Sequence, residues 1–301
     1  MTVLEPPRSA VVEAVARAIA EDLTPLGDLT SGLLPADLQA AASFVARTPG
    51  VLAGRACAAE TFVQIDDTVE LVWSAADGDA IVAGQTIATV EGPLASILTA
   101  ERTALNFLGH LSGIATLTRR FVDAAGVAEK VDGATRTARV WDTRKTTPGL
   151  RALEKAAVRA GGGANHRGNL SDWILLKDNH LAHMGIEGAV AAARERWPAR
   201  TVHLECDRLD QLEQALAAGV DAVLLDNMSP DEVSACVALA DDHAASTGRR
   251  RPLLEVSGGI SLETVGRYAG LGIDMISVGG LTNSAPVLDI GLDIEPDTPP
   301  T

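Results

Sequence analysis

Short apolar segments alternate with amphipathic stretches through the second half of the chain. The apolar segments are 137–141, 173–177, 202–206, 222–226, 253–256 and 275–278. Between them, apolar residues recur at helical spacing over 150–159, 209–216 and 232–239. This alternation is typical of βα units around a parallel sheet. Because a complete barrel has eight strands, the pattern predicts an incomplete or distorted α/β barrel, with a doubly wound open sheet as the alternative.

The first part of the chain has a different pattern. It predicts a helix over 8–22, followed by short strands at 42–47, 70–73 and 86–90. A long helical region then runs from residue 91 to residue 121. We therefore expect a smaller α+β domain that is linked to the barrel by a helix.

These patterns together predict an α/β protein with three parts. An N-terminal α+β domain with its linking helix spans 1–115, and an incomplete α/β barrel with parallel strands and the active site spans 116–280. A C-terminal segment, 281–301, packs back on the N-terminal domain. Its Pro-rich end, 295–301, is predicted to be a frayed tail.

Composition and charge exclude several classes of function. Acidic residues outnumber basic ones by 40 to 25, so the net charge of -15 repels nucleic acid, and an anionic ligand needs a local cationic pocket. The N-terminus shows no secretion signal, and no apolar run reaches the roughly 18 residues of a membrane span. Cys57, Cys206 and Cys236 show no disulfide or zinc-ligand pattern. We expect a cytoplasmic protein without nucleic-acid or membrane partners.

A group of cations contrasts with this acidic background. Arg144 and Lys145 follow the first predicted barrel strand, and Lys177 ends the second. His166 and Arg167 follow closely on three consecutive glycines. Cations on a soluble protein are usually interspersed with acids, whereas these lie on short apolar segments. The arrangement predicts a pocket for a small anion that is rich in carboxylate and phosphate.

Two acidic residues lie at the ends of the next predicted strands. Glu205 lies in the third strand and Asp226 ends the fourth. Since active sites of such barrels form at the carboxyl ends of the strands, we expect these residues to lie near the cations. A structural role is the alternative: Glu205 could belong to a partly buried ion pair, and Asp226 could cap the following loop.

Glycine-rich segments follow the last two predicted strands. Ser257, Gly258 and Gly259 follow the fifth strand, and Gly279 and Gly280 follow the sixth. Glycine lets a backbone approach an anion closely, and amides that open a helix can donate to it. The two segments therefore suit one phosphate group, although turn geometry alone would also explain either pair.

The order and content of six motifs resemble the quinolinate phosphoribosyltransferase family. These motifs are Asp142-Thr-Arg-Lys-Thr-Thr-Pro-Gly149, Gly161-Gly-Gly-Ala-Asn-His-Arg167, Leu176-Lys-Asp-Asn-His180, Leu224-Leu-Asp-Asn-Met-Ser229, Glu255-Val-Ser-Gly-Gly-Ile260 and Ile276-Ser-Val-Gly-Gly280. The stretches 101–107 and 285–293 are similar to that family too. The resemblance therefore covers nearly the whole chain.

The resemblance implies a pentosyltransferase reaction in NAD biosynthesis. Quinolinate and phosphoribosyl pyrophosphate would give nicotinate mononucleotide, pyrophosphate and carbon dioxide. Quinolinate has two adjacent carboxylates, and an arginine can hold a carboxylate through two charge-assisted hydrogen bonds. By the resemblance, the residues around quinolinate are Arg102, Arg144, His166, Arg167 and Lys177, and Thr143 is a further substrate-binding position.

Other matched residues are implied to bind the sugar-phosphate and Mg²⁺. Lys145 and Lys177 would contact the sugar-pyrophosphate, and the serine and glycines that follow the last two strands would cradle the 5-phosphate. Glu205 and Asp226 would contact the ribose hydroxyls and Mg²⁺, directly or through substrate and water. The resemblance thus names Lys145, Glu205 and Asp226 as catalytic residues.

The resemblance also implies that the active unit is at least a homodimer. Arg102 is expected to reach the site from the neighbouring subunit, and a higher oligomer stays open. The chain departs from the family pattern in the 21–30 segment, at Asn169 and at His203, which stands where an acidic residue is common. None of these positions carries an assigned role, so we expect changes in local geometry rather than in the reaction.

Two rival functions remain open from the sequence. The first is a paralogue of the same fold, such as those found beside molybdenum transport genes, or an enzyme that prefers nicotinate. The retained cations for two carboxylates argue against both. The second is a non-catalytic protein that senses phosphosugars. Glu205 and Asp226 argue against it, since a sensor has no evident need for metal-assisted departure of pyrophosphate.

Overall fold

Four strands near the two ends of the described chain form one antiparallel sheet. The computed structural model describes residues 5–126 and 138–294. From edge to edge the strands are β12 (Ile290–Ile294), β1 (Gln39–Ala46), β5 (Thr86–Pro93) and β3 (Glu70–Trp73). Every neighbouring pair is antiparallel. Residues 290–294 therefore complete a sheet that begins at residue 39.

The buried face of this sheet forms a core with two helices, α2 (Arg55–Ile65) and α3 (Leu94–Gly126). Phe44 of β1 lies edge-on to Phe62 of α2, with 6.1 Å between the ring centroids. This is a favoured arrangement for aromatic pairs. Leu108 of α3 belongs to the same cluster and is fully buried. The core explains why apolar residues alternate along the strands and recur at helical spacing along α3.

Further helices and a short ribbon complete the first unit. They are α1 (Arg8–Leu23), a 3-10 turn at Ser31–Leu33, a ribbon of β2 (Gly50–Val51) and β4 (Ala80–Ile81), α4 (Arg151–Ala160) and α10 (Gly280–Asn283). Helix α4 packs against α1 and α10. Its contacts therefore join it to elements from both ends of the chain.

The second unit is built on a six-stranded parallel sheet. In spatial order its strands are β6 (Arg139–Trp141), β11 (Met275–Ser277), β10 (Leu253–Ser257), β9 (Ala222–Asp226), β8 (Val202–Cys206) and β7 (Ile174–Leu176). Of these six strands, the last along the chain, β11, pairs with the first, β6. A doubly wound sheet would instead place its first strand in the interior. This strand order confirms the predicted α/β class with an incomplete barrel and excludes the doubly wound alternative.

Helices connect these strands in the alternation that the sequence predicted. They are α5 (Asp178–Met184), α6 (Ile186–Arg196), α7 (Leu209–Ala218), α8 (Pro230–Thr247) and α9 (Val265–Ala269). Helix α8 begins with a capping box, in which the Ser229 hydroxyl accepts from the Glu232 amide and the Glu232 side chain accepts from the Ser229 amide. Strand residues such as Leu204 and Leu225 are fully buried, as expected for parallel strands covered on both faces.

The two compact units divide the chain differently from the predicted parts 1–115, 116–280 and 281–301. The first unit comprises the described residues of Met1–Arg119, Lys145–Gly162 and Gly280–Thr301, and the second those of Arg120–Arg144 and Gly163–Gly279. Residues 145–162, which we assigned to the barrel, belong to the first unit because α4 packs there.

Two predictions lie outside the described residues. They are Thr137, which starts the first predicted barrel strand, and the tail 295–301. Among the described helices, we find none with the length and apolar composition that a membrane span requires.

Candidate active site

The carboxyl ends of the parallel strands bring most of the predicted site residues of the second unit to one edge of its sheet. Because all six strands run in the same direction, the residues that end or follow them share that edge. Those residues are Thr143, Arg144, Lys177, Glu205, Asp226, Ser257, Gly258, Gly259 and Gly279. Three further predicted site residues belong to the first unit: Arg102, Lys145 and Gly280.

Asp142 fixes the segment that carries His166 and Arg167. Its side chain is fully buried, and it accepts hydrogen bonds from the amide of His166 at 2.7 Å and from Nδ2 of Asn165 at 2.8 Å. Ala164 adds a parallel bridge to Trp141 at the end of β6. Asp142 opens one of the motifs quoted above, but its anchoring role was missed because it depends on a contact 24 residues along the chain.

Glu255 is a second buried carboxyl group that the sequence did not assign. Its Oε2 atom lies 3.1 Å from Nε2 of His166, and both side chains are buried. Burial opposes ionisation of Glu255, but the hydrogen bond from His166, the charges of His203 and His166 and the Ser277 hydroxyl together hold its pKa below the usual value. Glu255 therefore orients the imidazole of His166 through this hydrogen bond. Its only signal in the sequence is an acidic residue inside the apolar run of β10.

His203 lies beside this pair and is almost completely buried. Its Nε2 atom is 3.4 Å from Oε2 of Glu255 but makes no hydrogen bond with it. Burial lowers the pKa of His203 from 6.5 to about 4, although the charge of Glu255 acts in the opposite direction. The imidazole of His203 is therefore neutral at neutral pH.

Replacement of His203 by glutamine should reduce the dependence of stability on pH. Above pH 6.5 the ring is neutral in both states, whereas between 6.5 and about 4 only the unfolded chain takes up a proton. Stability is thus lost as pH falls through this window, by about 2 kcal/mol between pH 7 and pH 5. Urea unfolding at the two pH values should show a smaller loss for His203→Gln than for the parent protein. The exposed control His183→Gln should keep the parental loss, and an unchanged loss in His203→Gln would contradict the assignment.

The same three residues have donor atoms close enough to hold a metal ion. Nitrogen and oxygen atoms of His166, His203 and Glu255 lie within 4.8 Å of one another. However, the His166 nitrogen already bonds to Glu255, and the guanidinium of Arg167 interacts electrostatically with that carboxyl group. A cation would compete with both interactions. The cluster is therefore better suited to orienting His166 than to binding a metal.

Arg167 is a buried cation next to a second guanidinium. Its side chain donates from Nη1 to the carbonyl of Trp173 at 3.4 Å. Burial, and then the charge of Arg144, lower its pKa, while Asp172 and Glu255 partly oppose them. The Trp173 ring lies 4.8 Å from that of His166, edge to face. A carboxylate bound here would relieve the repulsion between the two arginines, so the arrangement is suited to a small anionic ligand.

Glu205 and Asp226 face one cavity of about 420 Å³. Its wall is formed by Asp178, Leu181, Ala182, Glu205, Asp207, Arg208, Gln211 and Asp226. Glu205 forms an ion pair with Lys177, as the alternative of a structural role for Glu205 predicted. The carboxyl groups of Glu205 and Asp226 nevertheless both line the cavity. Asp226 accepts a hydrogen bond from Nδ2 of Asn227 at 2.6 Å. Two carboxylates on adjacent strands, with a lysine beside them, can bind hydroxyl groups and a cation together.

The turn after β10 favours glycine at two positions, since the φ angles of Gly258 and Gly259 are both positive, +94° and +61°. A Cβ atom at Gly258 would lie 2.2 Å from Oδ1 of Asn227. At Gly259 and Gly280, by contrast, a Cβ atom would meet nothing within 4 Å. The backbone at these two positions carries no side chain and has no other protein atom packed against it there, so a ligand could approach it closely.

Several known proteins are similar to this chain in both sequence and fold. Family models described as the N-terminal and C-terminal domains of quinolinate phosphoribosyl transferase match residues 28–112 and 114–293. The nicotinate-nucleotide pyrophosphorylase (carboxylating) of Mycobacterium leprae is 42% identical over 289 residues, which cover 95% of this chain and 97% of that one. A probable nicotinate-nucleotide pyrophosphorylase (carboxylating) of Bacillus subtilis is 40% identical over 89% of this chain and 88% of its own.

The fold agrees with a solved structure of the same name. The structure of the nicotinate-nucleotide pyrophosphorylase from Francisella tularensis superposes with a TM-score of 0.88 at 35% identity. The match covers 98% of this chain and 99% of that chain. Sequence and fold thus point to the same group of proteins.

Proposed function

The chain belongs to the quinolinate phosphoribosyltransferase family, and on that basis we propose which of its residues carry out each part of the reaction. The reaction joins quinolinate and phosphoribosyl pyrophosphate into nicotinate mononucleotide, with release of pyrophosphate and carbon dioxide, in NAD biosynthesis. The observation that carries the assignment of residues is the buried Arg167, whose charge is opposed by Arg144 and supported by Glu255.

In this proposal quinolinate binds beside Arg167 and Arg144, whose charges oppose each other. Arg144 and Arg167 hold its adjacent carboxylates, since guanidinium and carboxylate groups match in a bidentate geometry. His166, oriented by Glu255 and packed on Trp173, contacts the pyridine dicarboxylate. Lys177 and Thr143 contribute further polar contacts, and Arg102 adds a third guanidinium. Two fixed carboxylates leave the ring nitrogen with a defined direction of attack.

The acidic pair is assigned to the ribose of phosphoribosyl pyrophosphate. Departure of pyrophosphate leaves positive charge on the ribose, and the carboxylates of Glu205 and Asp226 stabilise that charge. They also accept hydrogen bonds from the ribose hydroxyls. Lys145 and Lys177 neutralise the sugar-pyrophosphate, and no covalent nucleophile is needed. Once the ring nitrogen carries the ribose it is cationic, which stabilises the carbanion formed when the 2-carboxylate leaves as carbon dioxide. This carbanion then takes up a proton from water, which gives the C–H bond of nicotinate mononucleotide.

The 5-phosphate is assigned to the two glycine-rich turns. Ser257, Gly258 and Gly259 follow β10, and Gly279 and Gly280 follow β11. The bare backbone at Gly259 and Gly280 supports this role, because amide groups can reach the phosphate oxygens without steric hindrance. The serine hydroxyl adds a donor beside them.

The donor set at the acidic pair fits Mg²⁺. Glu205 and Asp226 offer carboxylate oxygens on one cavity, and the cavity has room for the waters that Mg²⁺ retains. In the proposal the two residues hold the ion directly or through substrate and water. Bound Mg²⁺ would neutralise charge on the pyrophosphate group.

Replacement of Asp226 by asparagine tests this metal assignment. The Mg²⁺ concentration that gives half the maximal rate should rise about tenfold or more, because one anionic ligand is lost. The rate is followed by pyrophosphate release, with phosphoribosyl pyrophosphate held below every Mg²⁺ concentration. Asp207→Asn, on the wall of the same cavity, is the matched control and should leave the Mg²⁺ requirement unchanged. Equal shifts in the two variants, or none in Asp226→Asn, would refute the assignment.

We further propose that the enzyme is a homodimer, with Arg102 donated to the site of the partner subunit, and that it works in the cytoplasm. The support for the dimer is the family membership of the chain. The support for the cytoplasm is that all three cysteines are free and buried, as in proteins of reducing compartments. A higher oligomer is compatible with the same donation of Arg102.

A further inference from the structure

Helix α4 carries a carboxyl group where an apolar residue would pack better. The side chain of Glu154 is fully buried, and its helix neighbours Leu153, Ala157 and Val158 are buried apolar residues. Burying a carboxyl group is unfavourable unless each oxygen finds a partner. A carboxyl group that is buried despite this unfavourable free energy either provides hydrogen bonds for other buried polar groups or holds functional residues in position.

Both oxygens of Glu154 have partners. Oε1 lies 2.9 Å from Nε2 of His110 on α3, and Oε2 accepts a hydrogen bond from the amide of Thr147 at 3.1 Å. His110 is about a quarter exposed, with 26% of its side chain accessible, whereas Glu154 is not accessible at all. Glu154 therefore ties α3 and α4 to the backbone of the loop that precedes α4.

Three consecutive residues of that loop are held by three different side chains. The carbonyl of Lys145 accepts from the hydroxyl of Thr282 at 2.8 Å. The hydroxyl of Thr146 accepts from Nε of Arg151 at 3.0 Å, and the amide of Thr147 donates to Glu154. Hydrogen bonds at successive residues leave the backbone little freedom to shift. Lys145 is the first of the three, so its side chain starts from a fixed position.

We propose that Glu154, supported by His110, is a positioning residue for Lys145. The pair holds the turn at Thr147, and the turn fixes the backbone from which the Lys145 ammonium group reaches the sugar-pyrophosphate. This inference rests on the role proposed above for Lys145. Glu154 itself touches no substrate and acts only through the loop. Thr282 acts on the same backbone from the other side and is expected to cooperate with it.

The test is a double-mutant cycle between Glu154 and Lys145. Glu154→Gln keeps the size of the side chain and one acceptor oxygen but loses the second. It should lower kcat/KM for phosphoribosyl pyrophosphate by about 10- to 100-fold, as expected when a catalytic group is displaced by about 1 Å. In a Lys145→Ala background the same substitution should have no further effect, because its action passes through Lys145. Release of label from 2-carboxylate-labelled quinolinate is sensitive enough to follow all four proteins.

Two further variants make the cycle decisive. Glu213→Gln, which removes an exposed carboxylate from α7, controls for loss of charge and should keep parental kinetics. His110→Phe removes the nitrogen that pairs with Oε1 of Glu154 and runs through the same cycle, which keeps the test valid if Glu154→Gln does not fold. Thermal unfolding confirms that each variant used is folded.

Each outcome of the cycle has one meaning. An effect of Glu154→Gln that is present with Lys145 and absent without it supports the inference. An equal loss in both backgrounds, or parental kinetics in Glu154→Gln, overturns it and makes Glu154 a structural residue. Parental kinetics in Lys145→Ala overturn the inference together with the role of Lys145, while label release by the parent protein still upholds the reaction. Absence of label release by the parent protein is the separate result that would reject the reaction itself.

Discussion

Arg167→Lys should lower kcat/KM for quinolinate by about 10- to 150-fold, because a charge-assisted bidentate interaction contributes roughly 1.5 to 3 kcal/mol. Lysine keeps the positive charge but has no planar fork, so it cannot bind a carboxylate through two parallel hydrogen bonds. It also loses the contact that Arg167 makes with the carbonyl of Trp173. The loss should appear mainly in KM for quinolinate, since the residue binds a carboxylate that persists until decarboxylation.

Initial rates over a range of quinolinate concentrations, at saturating phosphoribosyl pyrophosphate, measure this effect. Arg200→Lys is the matched control, because Arg200 is exposed and donates to the neighbouring carbonyl of Asp172 at 3.3 Å. It should leave the kinetics unchanged. A loss in Arg167→Lys no larger than in the control would remove Arg167 from the quinolinate site.

Mixed dimers should be far more active than either parent variant. Arg102→Ala and Asp226→Asn should each abolish most activity, since one loses a guanidinium for quinolinate and the other a carboxylate at the ribose. If Arg102 crosses to the partner's site, a mixed dimer has one site with both substitutions and one site with neither. Random assembly of equal amounts makes half of the dimers mixed, so recovery should reach about a quarter of parental activity.

The control for this recovery combines two residues of the same subunit's site. Glu205→Gln and Asp226→Asn line one cavity of one chain, so every site of their mixed dimers carries a substitution and no activity should return. Co-expression with two different affinity tags isolates the mixed species. A mixed dimer of Arg102→Ala and Asp226→Asn without activity would place Arg102 in the site of its own subunit.

The sequence predicted the barrel strands well because they are buried on both faces. Apolar runs such as 222–226 and 202–206 correspond to β9 and β8 at the same residues. Where tertiary pairing decides the structure, local patterns were less informative. Residues 91–93 were placed in the long helix, yet they extend β5 because they pair with residues 39–41 of β1. Strand β12 is as long as β9 but was missed, because only its first residue is buried and its sequence is not a continuous apolar run.

The candidate site was predictable to the extent that it lies at strand ends. Lys177, Glu205 and Asp226 lie at the edge where the parallel topology places them. The buried residues that orient the site were not predictable, because their partners are far along the chain. Glu255 meets His166 across 89 residues, and Glu154 meets His110 across 44. Such contacts follow from the fold and cannot be predicted from the local spacing of residues.

The decarboxylating reaction is tested most directly by release of labelled carbon dioxide from quinolinate labelled at its 2-carboxylate, with Mg²⁺ present. We expect release that requires phosphoribosyl pyrophosphate and is matched by an equal amount of pyrophosphate, whereas nicotinate in a parallel assay yields no pyrophosphate. No release of label, with pyrophosphate formed only from nicotinate or from neither acid, would contradict this reaction.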